Sequence, residues 1–263
     1  MNILLTNDDG IYAHGLWVIY KQFAKQHTVT VVAPDRERSA VGHSITLQKP
    51  LRLKLVEING GYQGYAVSGT PVDCIKLGVL EVLDTKPDIV ISGINPGANV
   101  GVNINYSGTV SAAREAALYG IPAIAVSIQG QKPGSYDIAA RFAQVLAELV
   151  FKKGLPFGTI LNVNFPAVSE KNIAGVRISR QGSSLFSHYF EKRVDPRNQT
   201  YYWQGSDLQA VFDHPDMDGA ILNKNYISIT PIKCDMTDYN TIDELRKWRI
   251  DKEVPKYEKT VRK

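Results

Sequence analysis

Cysteine is nearly absent from this chain: Cys74 and Cys234 are the two among 263 residues, and neither belongs to a Cys-x-x-Cys pair or a Cys/His cluster. A disulfide framework, a zinc knot and dithiol redox chemistry are thereby excluded, and a reducing compartment fits best. Long apolar runs are missing too. No stretch approaches the roughly 18 consecutive apolar residues that cross a bilayer. The first residues carry no basic segment and two aspartates by position 9, so the expected location is the cytoplasm. Charge of one sign is also scarce: 30 basic and 26 acidic side chains leave a net +4, and several of the basic ones fall in residues 252–263. The remainder is close to neutral, which gives neither a nucleic-acid groove nor a membrane-binding surface. Internal repeats and low-complexity tracts are absent. What is there, 44% hydrophobic residues, suffices for a substantial core.

The chain opens as a βαβ unit. Ile3-Leu4-Leu5 is apolar, the apolar residues from Leu16 to Ala24 recur at helical spacing, and Val29-Thr30-Val31-Val32-Ala33 resumes a strand. Residues 50–68 alternate apolar and polar around Asn59-Gly60-Gly61, the pattern of an inserted β-hairpin. A helix is predicted from Pro71 to about Leu83, then the uninterrupted strand Ile89-Val90-Ile91, covered on both faces. A glycine- and asparagine-rich loop, 93–108, leads into a helix from about Thr109 to Tyr119, closed by Gly120 and Pro122. Strand 123–126 follows, then an amphipathic helix with Ile138, Phe142, Val145, Leu149 and Val150 on one face, then strand 160–163. This alternation predicts an α/β fold, a Rossmann-like, doubly wound, mostly parallel sheet with an inserted β-hairpin and a C-terminal oligomerisation extension.

Beyond Pro166 comes strand 176–178, then some forty mixed polar and aromatic residues, about 182–224. Loops of that length rarely sit free on a compact domain, so this region reads as packing on a neighbouring subunit. The chain divides accordingly into a catalytic domain, 1–180, with a strand return near 224–232, and C-terminal oligomerisation elements, 181–263. A last helix is predicted over Ile242 to Trp248.

Thr6-Asn7-Asp8-Asp9-Gly10 follows the first strand, where open parallel sheets bind their ligands. Adjacent carboxylates repel, and one tends to keep its proton unless a cation neutralises the pair. Ser39, after the second parallel strand, and Asn95, in Ser92-Gly93-Ile94-Asn95-Pro96-Gly97, bring further oxygen donors to the same crevice. Taken singly they have plain alternatives: an aspartate or Ser39 as a helix cap, Asn95 as a turn residue before Pro96. Taken together, Asp8, Asp9, Ser39 and Asn95 offer only oxygen, which suits magnesium, manganese or calcium and argues against zinc. Ser107-Gly108-Thr109 opens a helix, where unpaired N–H groups favour an anion such as phosphate, although ordinary capping by Ser107 or Thr109 also explains it. Asn99 stands in the same loop as a candidate amide donor to a phosphate oxygen. Rival phosphatase routes fail on sequence. Leu80 stands where Cys74 would need an arginine, there is no Arg-His-Gly, and the aspartates lack the Asp-x-Asp spacing; Walker A, Gly-x-Gly-x-x-Gly and Gly-x-Ser-x-Gly motifs are also missing. Attack by a metal-activated water is what remains, and Asp8 is the candidate for orienting or deprotonating it; the different-class alternative is a regulator that binds nucleotide without turnover.

The segments 3–10, 32–44, 69–74, 92–99 and 106–113 resemble, in order, the signatures of the SurE family, the stationary-phase survival protein E phosphatases. Asp195-Pro196-Arg197, Tyr201-Tyr202-Trp203 and residues 226–231 extend the likeness. The resemblance implies a 5'-nucleotidase dependent on one divalent cation per subunit, magnesium or manganese, that hydrolyses nucleoside monophosphates, with 3'-nucleotides and short polyphosphate as further family substrates. It implies that Asp8, Asp9, Ser39 and Asn95 hold the metal and that Asn99, Ser107, Gly108 and Thr109 surround the phosphate, with Asp8, Asn99 and Ser107 catalytic. Homodimers or homotetramers with exchanged C-terminal elements are implied as well. Residues 213–218 fill a family-variable stretch, which leaves His214 without an assigned role. His43 is a candidate leaving-group acid or a structural hydrogen-bonding residue, and Tyr201, Tyr202 and Trp203 are candidates for base stacking or interface packing.

Overall fold

A computed structural model describes residues 1–58, 60–130, 135–183, 188–206 and 214–253. Along the chain, strand β1 (Asn2–Thr6) leads to helix α1 (His14–Phe23) and strand β2 (Thr28–Pro34). Strands β3 (Leu53–Ile58) and β4 (Tyr62–Val67) follow, then α2 (Pro71–Leu77), which runs on as a wider π-type turn to Val82. Next come β5 (Ile89–Pro96), a 3-10 turn Gly101–Asn105, α3 (Gly108–Leu118), β6 (Ala123–Ile128), α4 (Ser135–Lys153), β7 (Thr159–Phe165) and β8 (Gly175–Ile178). The C-terminal part holds β9 (His188–Val194), β10 (Thr200–Ser206), α5 (Asp218–Asn223), β11 (Tyr226–Lys233), α6 (Tyr239–Lys247) and α7 (Ile250–Glu253).

Nine strands form one sheet in the order β3-β4-β2-β1-β5-β6-β7-β11-β8. All neighbours from β4 to β7 pair in parallel; β3 and β11 enter antiparallel to β4 and β7. The hairpin of β3 and β4 is the edge of this sheet rather than an appendage, because β4 aligns with β2; Asn59 of its turn lies outside the described residues.

The sheet is buried on both faces, as its continuous apolar strands require. Ile3, Leu5, Ile89, Ile91 and Val126 point to the layer made by α1 and α4. Leu4, Val32, Val90, Ala123 and Ala125 point to the layer made by α2 and α3. The α4 face differs from expectation. Val145 and Leu149 are exposed, whereas Ala139, Ala140, Ala143, Ala147 and Val150 are buried. Small side chains let the helix axis approach the sheet, so the alanines, not the largest apolar residues, mark its inner face.

Chain order reverses at β1: the chain proceeds outward through β2 and β4, then returns to place β5 on the other side of β1. The carboxyl ends of β1 and β5 therefore diverge into a crevice.

Candidate active site

Thr6 ends β1 inside the sheet, and Asn7 then folds back on the turn: its Nδ2 donates to Gly10 O at 3.1 Å and its Oδ1 accepts from Gly10 N at 3.2 Å. That staple presents Asp8 and Asp9 side by side. The Arg38 N–H donates to Asp8 O at 2.7 Å, tying the loop after β2 to the loop after β1. These loops and the end of β5 enclose a crevice of about 1000 Å³. Its wall includes Asp8, Asp9, Ser39, Asn95, Asn99 and Ser107, together with Glu37, Asn103, Tyr106, Gln204 and Gly205.

Asp8 is buried and packs against the first turn of α3. Thr109 Oγ1 donates to Asp8 Oδ1 at 2.6 Å. Gly108 allows this approach: a Cβ there would stand 2.7 Å from Asp8 Cβ and 2.9 Å from Asp8 Oδ2, closer than any side chain tolerates. Ser107 caps the helix, its Oγ accepting from Val110 N at 3.1 Å. The positive end of the α3 dipole thus faces the aspartate pair.

Both carboxyls are poised above their ordinary range. Burial pushes Asp8 up, and the hydrogen bond from Thr109 reverses that only in part. Asp9 is pushed up to about 7, first by burial and then by the charges of Asp8 and Glu37. Asp9 Oδ2 is buried with no hydrogen-bond partner. An unpartnered carboxylate oxygen beside a second carboxylate is what a cation would satisfy. Among the described residues no three His, Cys, Asp or Glu side chains gather as a metal-binding group. The available donors are two carboxylates with neutral oxygens from Ser39 and Asn95, a set suited to a hard cation. Ser39 Oγ donates to Glu37 Oε1, and Asn95 Nδ2 donates to Gly97 O at 2.6 Å, which leaves the Asn95 carbonyl oxygen as its accepting atom.

Other predicted residues fall differently. Asn99 lines the crevice, yet its Nδ2 donates to Ser127 Oγ at 2.8 Å; its main chain is held by Asn162 and Asn164 of β7. Thr109 directs its hydroxyl at Asp8 and stands behind the crevice wall. His43 is away from the wall: its Nε2 lies 2.8 Å from Glu115 Oε2, and Lys76 Nζ is 3.5 Å from Glu115 Oε1. Burial pushes Glu115 up, but the His43 and Lys76 partners outweigh it and hold that carboxyl below the usual range. His214 pairs with Asp216 on the surface, while Asp213 lies outside the described residues. Tyr201, Tyr202 and Trp203 are exposed on β10, and the residues following them, Gln204 and Gly205, reach the crevice instead.

Sequence reasoning missed Glu37, Asn103, Tyr106, Gln204 and Gly205 as crevice residues. Tyr106 had a signal, being an aromatic residue at the mouth of an anion-favouring helix start. Gln204 and Gly205 had none, since only the tertiary placement of the β9–β10 hairpin brings them there.

The family model described as "Survival protein SurE" matches residues 3–188. The "5'-nucleotidase SurE" of Desulfatibacillum aliphaticivorans is 56% identical over 252 residues, covering 96% of this chain and 100% of that one. The protein of the same name from Syntrophobacter fumaroxidans is 48% identical over 250 residues, 95% of this chain and 100% of its own. Among solved structures, that of the "Sure Protein from Aquifex aeolicus" superposes with a TM-score of 0.81 at 35% identity, covering 94% of this chain and 99% of that one.

Proposed function

Because the chain belongs to the SurE family, we propose that it is a 5'-nucleotidase, a divalent-cation-dependent phosphomonoesterase that releases phosphate from nucleoside 5'-monophosphates by attack of water. The observation that carries this is the Asp8–Asp9 pair, one of its oxygens buried and unpartnered, set against the start of α3. A cation, magnesium or manganese, held by Asp8, Asp9, Ser39 and Asn95 would supply Lewis-acid polarisation of the phosphoryl group and a lowered water pKa.

The chain's own groups do the rest. Asp8 orients the water and takes its proton, the Thr109 hydrogen bond fixing which carboxylate oxygen is free. The Ser107 hydroxyl and the N–H groups of the first α3 turn, at Gly108 and Thr109, bind the charge on the equatorial phosphoryl oxygens. Asn99 adds its amide by turning from Ser127. A crevice of about 1000 Å³ exceeds what phosphate fills and accommodates a nucleoside beside Tyr106 and Gln204. The same chemistry extends to 3'-nucleotides and short polyphosphate. The β9–β10 hairpin, with exposed Tyr189, Phe190, Tyr202 and Trp203, supports assembly into a homodimer or homotetramer with exchanged C-terminal elements, in the cytoplasm.

The test is phosphate release from a panel of 5'- and 3'-nucleoside monophosphates and short polyphosphate, first with EDTA and then with magnesium or manganese restored. Release that stops with EDTA and returns with metal is expected, and Asp8→Asn abolishes it in a folded protein. Tight AMP or GMP binding without release would instead mark a regulator.

A further inference from the structure

Asp218 is fully buried at the start of α5, far along the chain from Asp8 and Asp9, and its carboxylate is saturated by main-chain donors. Its Oδ2 accepts from Gly101 N at 2.9 Å, and its Oδ1 accepts from Gly182 N at 3.1 Å and Gly219 N at 2.8 Å. Gly101, at φ +58°, begins the turn between Asn99 and Ser107. The carbonyl of Gly101 is held from the same side, by Gln181 Nε2 at 2.9 Å. Both polar groups of Gly101 are therefore clamped by the C-terminal part of the chain. The three backbones meet closely: a Cβ on Gly182 would sit 3.2 Å from Asp218 Oδ1 and 3.6 Å from Gly101 Cα.

A buried carboxylate is an expensive way to hold a loop unless its position matters, because its desolvation must be offset by several hydrogen bonds. Here those bonds join the turn after Asn99 to residues 181–182 and 218–219. Gly101 lies in the loop bearing Asn99 and Asn103, and both of these line the crevice, as do Gln204 and Gly205 of β10.

We propose that Asp218 is a positioning residue: with Gln181 it sets the 99–107 loop at the distance from the aspartate pair that phosphate requires, and ties that loop to residues 181–182. The proposal rests on the phosphatase reading only for the identity of the bound anion.

The experiment compares wild type, Asp218→Asn, Gln181→Ala and, as a control on a neighbouring surface carboxylate, Asp216→Asn. Steady-state constants are measured with AMP, inorganic phosphate binding by calorimetry, and manganese binding by thermal shift. In Asp218→Asn an amide N–H faces a main-chain N–H. KM and the phosphate Kd should rise about tenfold, the scale of one charge-assisted hydrogen bond, with manganese binding and kcat near wild type. Gln181→Ala, on an exposed residue, should move the same two constants in the same direction by less, and Asp216→Asn should move neither. Unchanged KM and phosphate Kd in folded Asp218→Asn overturn the proposal, as does a uniform loss of phosphate binding, manganese binding and melting temperature, which marks a purely structural group. Should Asp218→Asn fail to fold, an unchanged phosphate Kd in Gln181→Ala overturns it and a raised one supports it. A wild type that binds phosphate but releases none from AMP rejects the nucleotidase reading alone, and the calorimetric comparison still decides on Asp218.

Discussion

Asp9 contributes to the pH behaviour of the protein when no cation is bound. A carboxyl at 3.8 in the unfolded chain and about 7 in the folded one means that the folded state binds more protons between those values. Stability is then greatest below pH 4 on this account and falls as pH rises towards 7, by about 2–4 kcal/mol through linkage. Asp8, raised by burial, acts in the same direction. The melting temperature of EDTA-treated protein should decline from pH 5 to pH 8, manganese should restore more of it at pH 8 than at pH 5, and Asp9→Asn should flatten the profile. A flat wild-type profile would contradict the burial of this pair. Gly108→Ala drives a Cβ into Asp8, costing about 1–3 kcal/mol as overpacking, and activity should fall far more than the melting temperature. The aspartates and Gly108 were legible in the sequence because their chemistry is local: a strand end, a helix start, adjacent like charges. Thr109 was legible as part of that helix start, but its hydroxyl direction depends on Asp8 arriving from another strand.

Among the elements, α3 serves two places at once: its first turn faces the crevice and its third carries Glu115, which holds His43 and Lys76. His43→Ala should therefore lower stability while leaving kcat with nucleoside monophosphates near wild type. A fall of about a hundredfold or more would identify a general acid instead. Ser107→Ala removes a cap worth about 1 kcal/mol and, by deleting the hydroxyl donor, should weaken phosphate binding too, measurable as product inhibition. The succession of elements was legible from apolar periodicity because parallel strands buried on both faces have few alternatives. The inner face of α4 was not, because periodicity weights large residues, whereas Ala139, Ala143 and Ala147 do the packing. The β9–β10 hairpin likewise gave a weak signal, since its residues alternate without a buried face to enforce the pattern.

For the whole molecule, the C-terminal part supplies structure in two ways: β11 adds to the main sheet, and β9 and β10 form a separate two-stranded sheet with exposed aromatic side chains. Replacing Tyr202 and Trp203 by serine should shift sedimentation towards the monomer at unchanged helix content; an unaltered assembly would place the interface elsewhere. Composition and sequence pattern identified the fold class, but nothing in residues 213–218 distinguished Asp218, because a carboxylate's burial is a property of three segments that meet only in the folded chain.

The position of β11 also fixes a schedule. It lies between β7 and β8, and β8 has β11 as its strand partner, so residues 175–178 wait for residues 226–229 before they can pair. Asp218, which clamps Gly101, emerges from the ribosome in the same late interval. A nascent chain halted after β8 would carry every residue of the aspartate pair and of the α3 start, and yet leave the edge of β7 open and Gly101 without its Asp218 and Gln181 partners.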